Sequence, residues 1–256
     1  MIIPDKNYFL AATRQVIKNF EGGYFHPSMY IKNPSKFSVY GTSGETMFGL
    51  DRHAGFDLFY KGKRKASTVK DNLKFIEAGN YEYKNEASKK FWTLLDNLDA
   101  KNTFTWNYKG GKNEEQLIEL ASEIIYPEFL RLSNLYLDQE SQKLVFSEPR
   151  LLFHFIYATW NGSGFFKFYA NELNKALEQR KNLSSIIADQ LNLRVNSKFS
   201  QIRSTGEKMK MLFTNENFKK AFDSLSNTIK ENSKIVPLLV AGLIITGFII
   251  IKKMQG

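Results

Sequence analysis

The sequence predicts a mainly α-helical body with one small irregular or β-containing lobe, then a helical stalk and a single C-terminal transmembrane helix. Three observations predict it. Apolar residues recur at helical spacing in several stretches between Asp5 and Glu178, and aromatics, prolines and glycines replace that pattern from Tyr24 to Tyr60. An unbroken uncharged run then occupies Ile235 to Ile251. These divisions give a body over 1–180, a linker or stalk over 181–234 and a membrane span over 235–251.

The first helix runs from Asp5, a natural N-cap, to Phe20, with Phe9, Ala12, Val16, Ile17 and Phe20 on one stripe. Gly22 and Gly23 end it. The lobe from Tyr24 to Tyr60 follows, and Lys61, Lys63, Arg64 and Lys65 then read as a solvated basic patch. Helical spacing resumes over Glu86–Leu98 and over Asn113–Leu137, where Leu117, Leu120, Ala121, Ile124, Ile125 and Phe129 share a face. Pro127 in that second stretch predicts a kink or a break into two helices. A further helix is expected over Glu148–Trp160, interrupted by Asn161-Gly162-Ser163-Gly164, and another over Phe165–Glu178. Arg180 to Lys234 is charged, helix-competent and poor in aromatics, which reads as a stalk or linker helix pair.

The run from Ile235 to Ile251 counts 17 residues. At about 1.5 Å per residue this reaches the lower edge of what crosses a hydrocarbon core of about 30 Å. Lys234, Lys252 and Lys253 flank it, where their stems can snorkel to headgroups, and Pro237 sits in the first turn, where it costs little. The stretch after Met1 to Pro4 is amphipathic rather than an apolar leader, so the membrane element is expected at the C-terminal side.

Composition narrows the chemistry. A net charge of +10 draws polyanions of any kind: nucleic acid, anionic lipid or the acidic polymers of a bacterial envelope. No helix-turn-helix or stacking-sheet motif supports the first. With no cysteine, disulfides, thiolate zinc sites and thiol nucleophiles are excluded, and His26, His53 and His154 show no metal-ligand spacing. No metal or other cofactor is expected.

One constellation carries chemistry. Glu21-Gly22-Gly23-Tyr24 closes the first helix, and Ser43-Gly44-Glu45-Thr46-Met47-Phe48-Gly49-Leu50-Asp51-Arg52 follows in the lobe. A glutamate just past an apolar helix points into whatever that lobe encloses. Apolar surroundings, here Tyr24, Tyr40 and Phe48, which are also expected to contact the substrate, raise a glutamate pKa enough to keep a general acid protonated near neutral pH. The plainer reading of Glu21 is an exposed helix-end acid, while Glu45 reads equally as a further catalytic candidate or as a turn cap beside Thr46. Asp51 reads as an N-cap with Arg52 as its surface ion-pair partner, and Tyr157 and Trp160 read as core or as a platform for pyranose rings.

The chain resembles the lysozyme-like muramidases of glycoside hydrolase family 108, phage and bacterial enzymes whose pattern is E-G-G-Y, then G-G-x-T-x-x-G-I, then an aromatic-rich helix leading to N-S-G. Glu21 to Tyr24, Gly44 to Leu50, and Phe155 to Gly164 carry the match, in the family's order, within about Asp5 to Glu178. The resemblance implies a mainly α, α+β lysozyme-like domain that cleaves the β-1,4 bond between N-acetylmuramic acid and N-acetylglucosamine. It implies Glu21 as catalytic acid, Thr46 across the cleft positioning water or a sugar hydroxyl, and Asn161 with Ser163 in the turn that closes the far wall. Peptidoglycan strands are the expected partner, the lipid bilayer the second through 235–251, and other virion proteins a third. The setting is a virion membrane or host envelope, in wall penetration or lysis.

Two departures from the pattern bear on mechanism. The loop between the first two motifs is long, with Pro27, Pro34 and several lysines, and Tyr40-Gly41-Thr42-Ser43-Gly44 replaces the D-P-G-G stretch. Glu45 is the only carboxylate between Glu21 and Thr46, so a carboxylate pair is not assigned there. Water attack steered by Thr46 and a lytic transglycosylase reaction, in which the sugar's own hydroxymethyl closes on the anomeric carbon, both remain open. The reading from another class is a non-catalytic membrane or virion protein that holds the cell wall.

Overall fold

The computed structural model describes residues 3–35, 44–52, 85–98 and 108–214, with single positions or pairs at 70, 73–74, 77, 83 and 220. The described chain is mainly helical. Its first helix, α1 (Lys6–Phe20), begins where expected, because Asp5 Oδ1 accepts the backbone N–H of Asn7 and Tyr8 at 2.9 and 3.0 Å. A cap of this type is worth about 1 kcal/mol. Tyr8, Phe9, Ala12, Val16 and Ile17 form its buried face.

The lobe that follows contains a short helix, α2 (Pro27–Lys32), and a minimal hairpin of β1 (Thr46–Met47) and β2 (Leu50–Asp51). Thr46 pairs with Asp51 and Met47 with Leu50, leaving Phe48 and Gly49 as the two-residue turn. Both turn residues have positive φ, 53° and 71°, the pattern of a type I′ turn, which matches the twist of paired strands. Phe25 extends the pairing, exchanging both backbone hydrogen bonds with Thr46 at 2.8 and 2.9 Å.

Three helices build the floor of the body: α3 (Glu86–Asn97), α4 (Glu114–Tyr136) and α5 (Gln139–Ser147). Asn85 and Asp138 cap α3 and α5 through their side chains. α4 does not break into two helices at Pro127. The proline forfeits one backbone hydrogen bond, and the apolar stripe of Leu117, Ile124, Ile125, Phe129 and Leu132, all fully buried, holds the helix together across it.

The centre of the fold is α6 (Pro149–Asn161), in which every residue from Leu151 to Trp160 is buried. A helix apolar on all sides has no stable place at a surface, and α1, α4, α5 and α7 (Ser163–Glu178) surround it. Pro149 occupies its first turn, where a missing N–H costs nothing, and Glu148 caps it.

The stretch expected to form a stalk is not separate from the body up to 214. It forms α8 (Leu183–Val195) and α9 (Ser200–Thr214), which pack on each other, and α8 packs on α7. Ile186, Ile187, Met209 and Phe213 join the common core, with the Phe213 ring 5.8 Å from that of Phe153. Arg194 reaches further still. It is fully buried, its Nε donates to His154 Nδ1 at 2.9 Å and its Nη2 to His154 O at 3.2 Å. Its guanidinium lies over the rings of Tyr157 and Tyr169, at 5.0 and 4.6 Å. Burial and the Arg194 charge hold His154 well below the usual imidazole range, so it serves as a neutral acceptor. Gly206 permits the close approach of α9 to α8, since a Cβ there would stand 2.8 Å from Val195 N.

Among the described residues, no helix is long and apolar enough to cross a membrane. The expected span at 235–251 lies outside them, as do Tyr40 and the basic patch at 61–65.

Candidate functional site

Glu21 is the C-cap of α1, with extended backbone (φ −95°, ψ 142°) that turns its side chain away from the helix axis. It enters an open cleft of about 760 Å³. The hairpin supplies one wall through Thr46, Gly49 and Asp51, and the end of α6 supplies another through Tyr157, Trp160 and Asn161. α9 closes a third side with Ser204, Thr205 and Lys208, so the segment read as stalk helps build the site.

The hairpin is held against α6 by one buried bond, from Trp160 Nε1 to Phe48 O at 2.9 Å. Asn161 Nδ2 donates to Tyr157 O at 2.7 Å, which fixes the far end of the helix. Gly49 lies directly beside the Glu21 carboxylate with its backbone at φ 71°. Burial pushes the Glu21 carboxyl up to about 8, and the nearby Lys109 cation pulls against that rise. The group is therefore mostly protonated at neutral pH while it faces an open space. Tyr157 is pushed up to about 12 by burial, with the Glu21 charge adding to the effect.

The structure brings Glu21, Thr46, Tyr157 and Asn161 to one cleft and places the other candidates away from it. Glu45, just ahead of β1, is 1% exposed and does not line the cleft. It accepts the Tyr24 hydroxyl at 2.5 Å and Arg52 Nη1 at 3.0 Å, so its place is structural. Arg52 is likewise buried rather than on the surface, and it pairs not with Asp51 but with Glu45 and, at 2.8 Å, with Asp96 on α3. The Trp92 ring lies 5.2 Å from its guanidinium. This network ties the hairpin to α3. Tyr24 and Phe48 are core residues that do not line the cleft, and Ser163 is exposed at the start of α7 away from it. Tyr40 lies outside the described residues.

Asp51 is not an N-cap but a strand residue in the cleft, where its Oδ2 accepts the Gly44 N–H at 3.1 Å. A signal for this exists in the sequence. Neighbours along a strand face opposite sides, so Glu45 and Thr46 do not share a cleft, whereas a two-residue turn at Phe48-Gly49 puts Asp51 directly across from Thr46 on the same face. Lys109, Ser204, Thr205 and Lys208 carry no comparable local signal.

A second hollow, of about 950 Å³, lies between α7 and α8. Its acids are tied up, Glu172 with Lys175 at 2.7 Å and Asp189 with Lys181 at 2.8 Å. Proton transfer to a ligand therefore has its best-placed donor in the Glu21 cleft.

No protein-family model, no curated protein and no solved structure matches the chain, so the cleft's own chemistry carries the functional reading.

Proposed function

We propose that this chain is a peptidoglycan-cleaving glycosidase of the muramidase type, with Glu21 as its general acid. The observation that carries the reading is a carboxyl held protonated near neutral pH at the edge of an open cleft. A cleft of about 760 Å³ has the size of a site for a ligand of several rings. Cleavage of a glycosidic bond needs such an acid. Glu21 gives its proton to the bridging oxygen, the bond from that oxygen to the anomeric carbon breaks, and charge develops on the sugar ring.

Asp51 and Thr46 then complete the displacement from the hairpin wall. Asp51 takes the proton of the attacking water as the water oxygen bonds to the anomeric carbon, and the Thr46 hydroxyl orients that water. A second carboxylate in the cleft favours hydrolysis over the transglycosylase reading, which needs only one. Trp160 borders the cleft as an aromatic contact for a pyranose ring. The uncharged run at 235–251 between lysines supports a lipid tether, and with it a role at a virion or host membrane in wall penetration or lysis.

Turbidity loss of purified sacculi tests the assignment. Glu21→Gln should lower the rate by about 10²- to 10⁴-fold, the usual contribution of a positioned acid. Equal rates in both forms would refute Glu21, and an inactive parent would leave a wall-holding protein instead. Mass spectrometry of released muropeptides separates the two reactions, because only a transglycosylase leaves 1,6-anhydro ends.

A further inference from the structure

The cleft that holds Glu21 is also lined by three lysines from separate parts of the chain: Lys18 at the end of α1, Lys109 ahead of α4, and Lys208 on α9. Lys18 pairs at 3.0 Å with Glu115, a carboxylate that Arg14 shares at 2.8 Å. Lys109 and Lys208 make no ion pair with any carboxylate among the described residues. Of the two acids in the cleft, Glu21 is mostly uncharged at neutral pH and Asp51 is engaged with Gly44 N–H. Among the described residues, the cleft thus presents two ammonium groups without an ion-pair partner and one charged carboxylate, with Trp160 on the wall formed by the end of α6.

Two cations lining a site for a sugar strand recognise what the strand carries, not the sugar rings themselves. We infer that the cleft selects glycan strands bearing free carboxylates, such as the acidic peptide stems linked to the lactyl groups of a cell-wall glycan, and that Lys109 and Lys208 are the residues that read this charge. The inference rests on the glycosidase reading of the same cleft. It narrows that reading to strands whose stems keep their carboxylates free, and it names the residues that make the distinction. It also gives α9 a role in specificity, since Lys208 reaches the cleft only because that helix packs back onto the body.

Binding tests it without depending on turnover. The full-length Glu21→Gln protein in detergent is titrated with soluble glycan strands carrying carboxylate stems, and with the same strands after chemical amidation. Amidation should weaken binding by about three- to tenfold, the range expected for two partly exposed charge pairs, and added salt should erase the difference. Lys109→Gln with Lys208→Gln should abolish the preference, and Lys109→Arg with Lys208→Arg should retain it. Equal affinity for both strands overturns the inference, as does a full preference surviving in the double glutamine variant. A polyglycerol phosphate chain that competes as strongly as the carboxylate strand would also overturn it, in favour of phosphodiester recognition. Failure of the acid assignment shows elsewhere, in sacculus cleavage that survives Glu21→Gln, and leaves the binding preference untouched.

Discussion

Gly49 and Glu21 occupy complementary space: a Cβ added at Gly49 would stand 2.0 Å from Glu21 Oε2, a distance no pair of atoms tolerates. The positive φ of the hairpin turn favours glycine, and the absence of a Cβ leaves the space that the carboxylate occupies. Gly49→Ala should displace Glu21 and lower cleavage about a hundredfold, at a stability cost of about 1–2 kcal/mol for the left-handed backbone. Sacculus assays and thermal melts of the same preparation check both halves. Unchanged activity would show that the carboxylate needs no fixed position.

A general acid at Glu21, as proposed, would work only while protonated. With its carboxyl near 8, Glu21 should sustain the rate through neutral pH and lose it on the alkaline side, with a midpoint of about 8. Lys109 lowers that value, so Lys109→Gln should move the alkaline limb to higher pH. A pH–rate profile of the two proteins checks the direction, and a shift to lower pH would sink the electrostatic account.

The same raised carboxyl makes a statement about stability. Its folded-state value lies above the unfolded one, so its contribution is fully present below about pH 4.5 and declines as the pH rises toward 8. Between those limits the unfolded chain releases the proton and the folded chain does not. Glu21→Gln should therefore be more stable than the parent at pH 8, by on the order of 2 kcal/mol once partial exposure is allowed for, and much closer to it at pH 4. Denaturant melts at the two pH values decide it.

Glu45 behaves differently from Glu21. Removing it strands the buried Arg52 guanidinium and the Tyr24 hydroxyl, so Glu45→Ala should cost about 3 kcal/mol of stability. Where the variant remains folded, at low temperature, its alkaline limb should keep the parent's midpoint. A selective loss of rate without loss of melting temperature would restore Glu45 as a chemical residue.

A chain stopped at 181 should lose cooperative unfolding. It would remove one wall of the cleft and uncover His154, Tyr169 and the core that Ile186, Ile187, Met209 and Phe213 complete. A sharp thermal transition in that fragment, at the parent's temperature, would mean the last two helices are dispensable.

How much of this was legible in the sequence depended on whether buried faces were apolar. α1 and α6 were readable because capping residues and long apolar stripes coincide there. α2 and α5, six and nine residues long, are too short for periodicity to stand out. α8 was misread for a different reason. Its inward face carries Gln190 and Arg194 beside Ile186 and Ile187, and a polar residue counts as solvated until its partners are known. In the site, Glu21 and Thr46 were legible as motif residues. Asp51 and Glu45 exchanged places because the motif names neighbours, whereas the side of the strand decides which of them meets the cleft.

Trp160 is held by its indole N–H to the Phe48 carbonyl while one side of its ring borders the cleft. That arrangement makes it a built-in optical reporter. Of the two tryptophans among the described residues, Trp92 is sealed against Arg52 and Trp160 is 8% exposed, so a molecule filling the cleft would take the remaining water from Trp160 and leave Trp92 unaffected. Occupancy becomes readable as a blue shift in intrinsic fluorescence that a Trp160→Phe variant lacks.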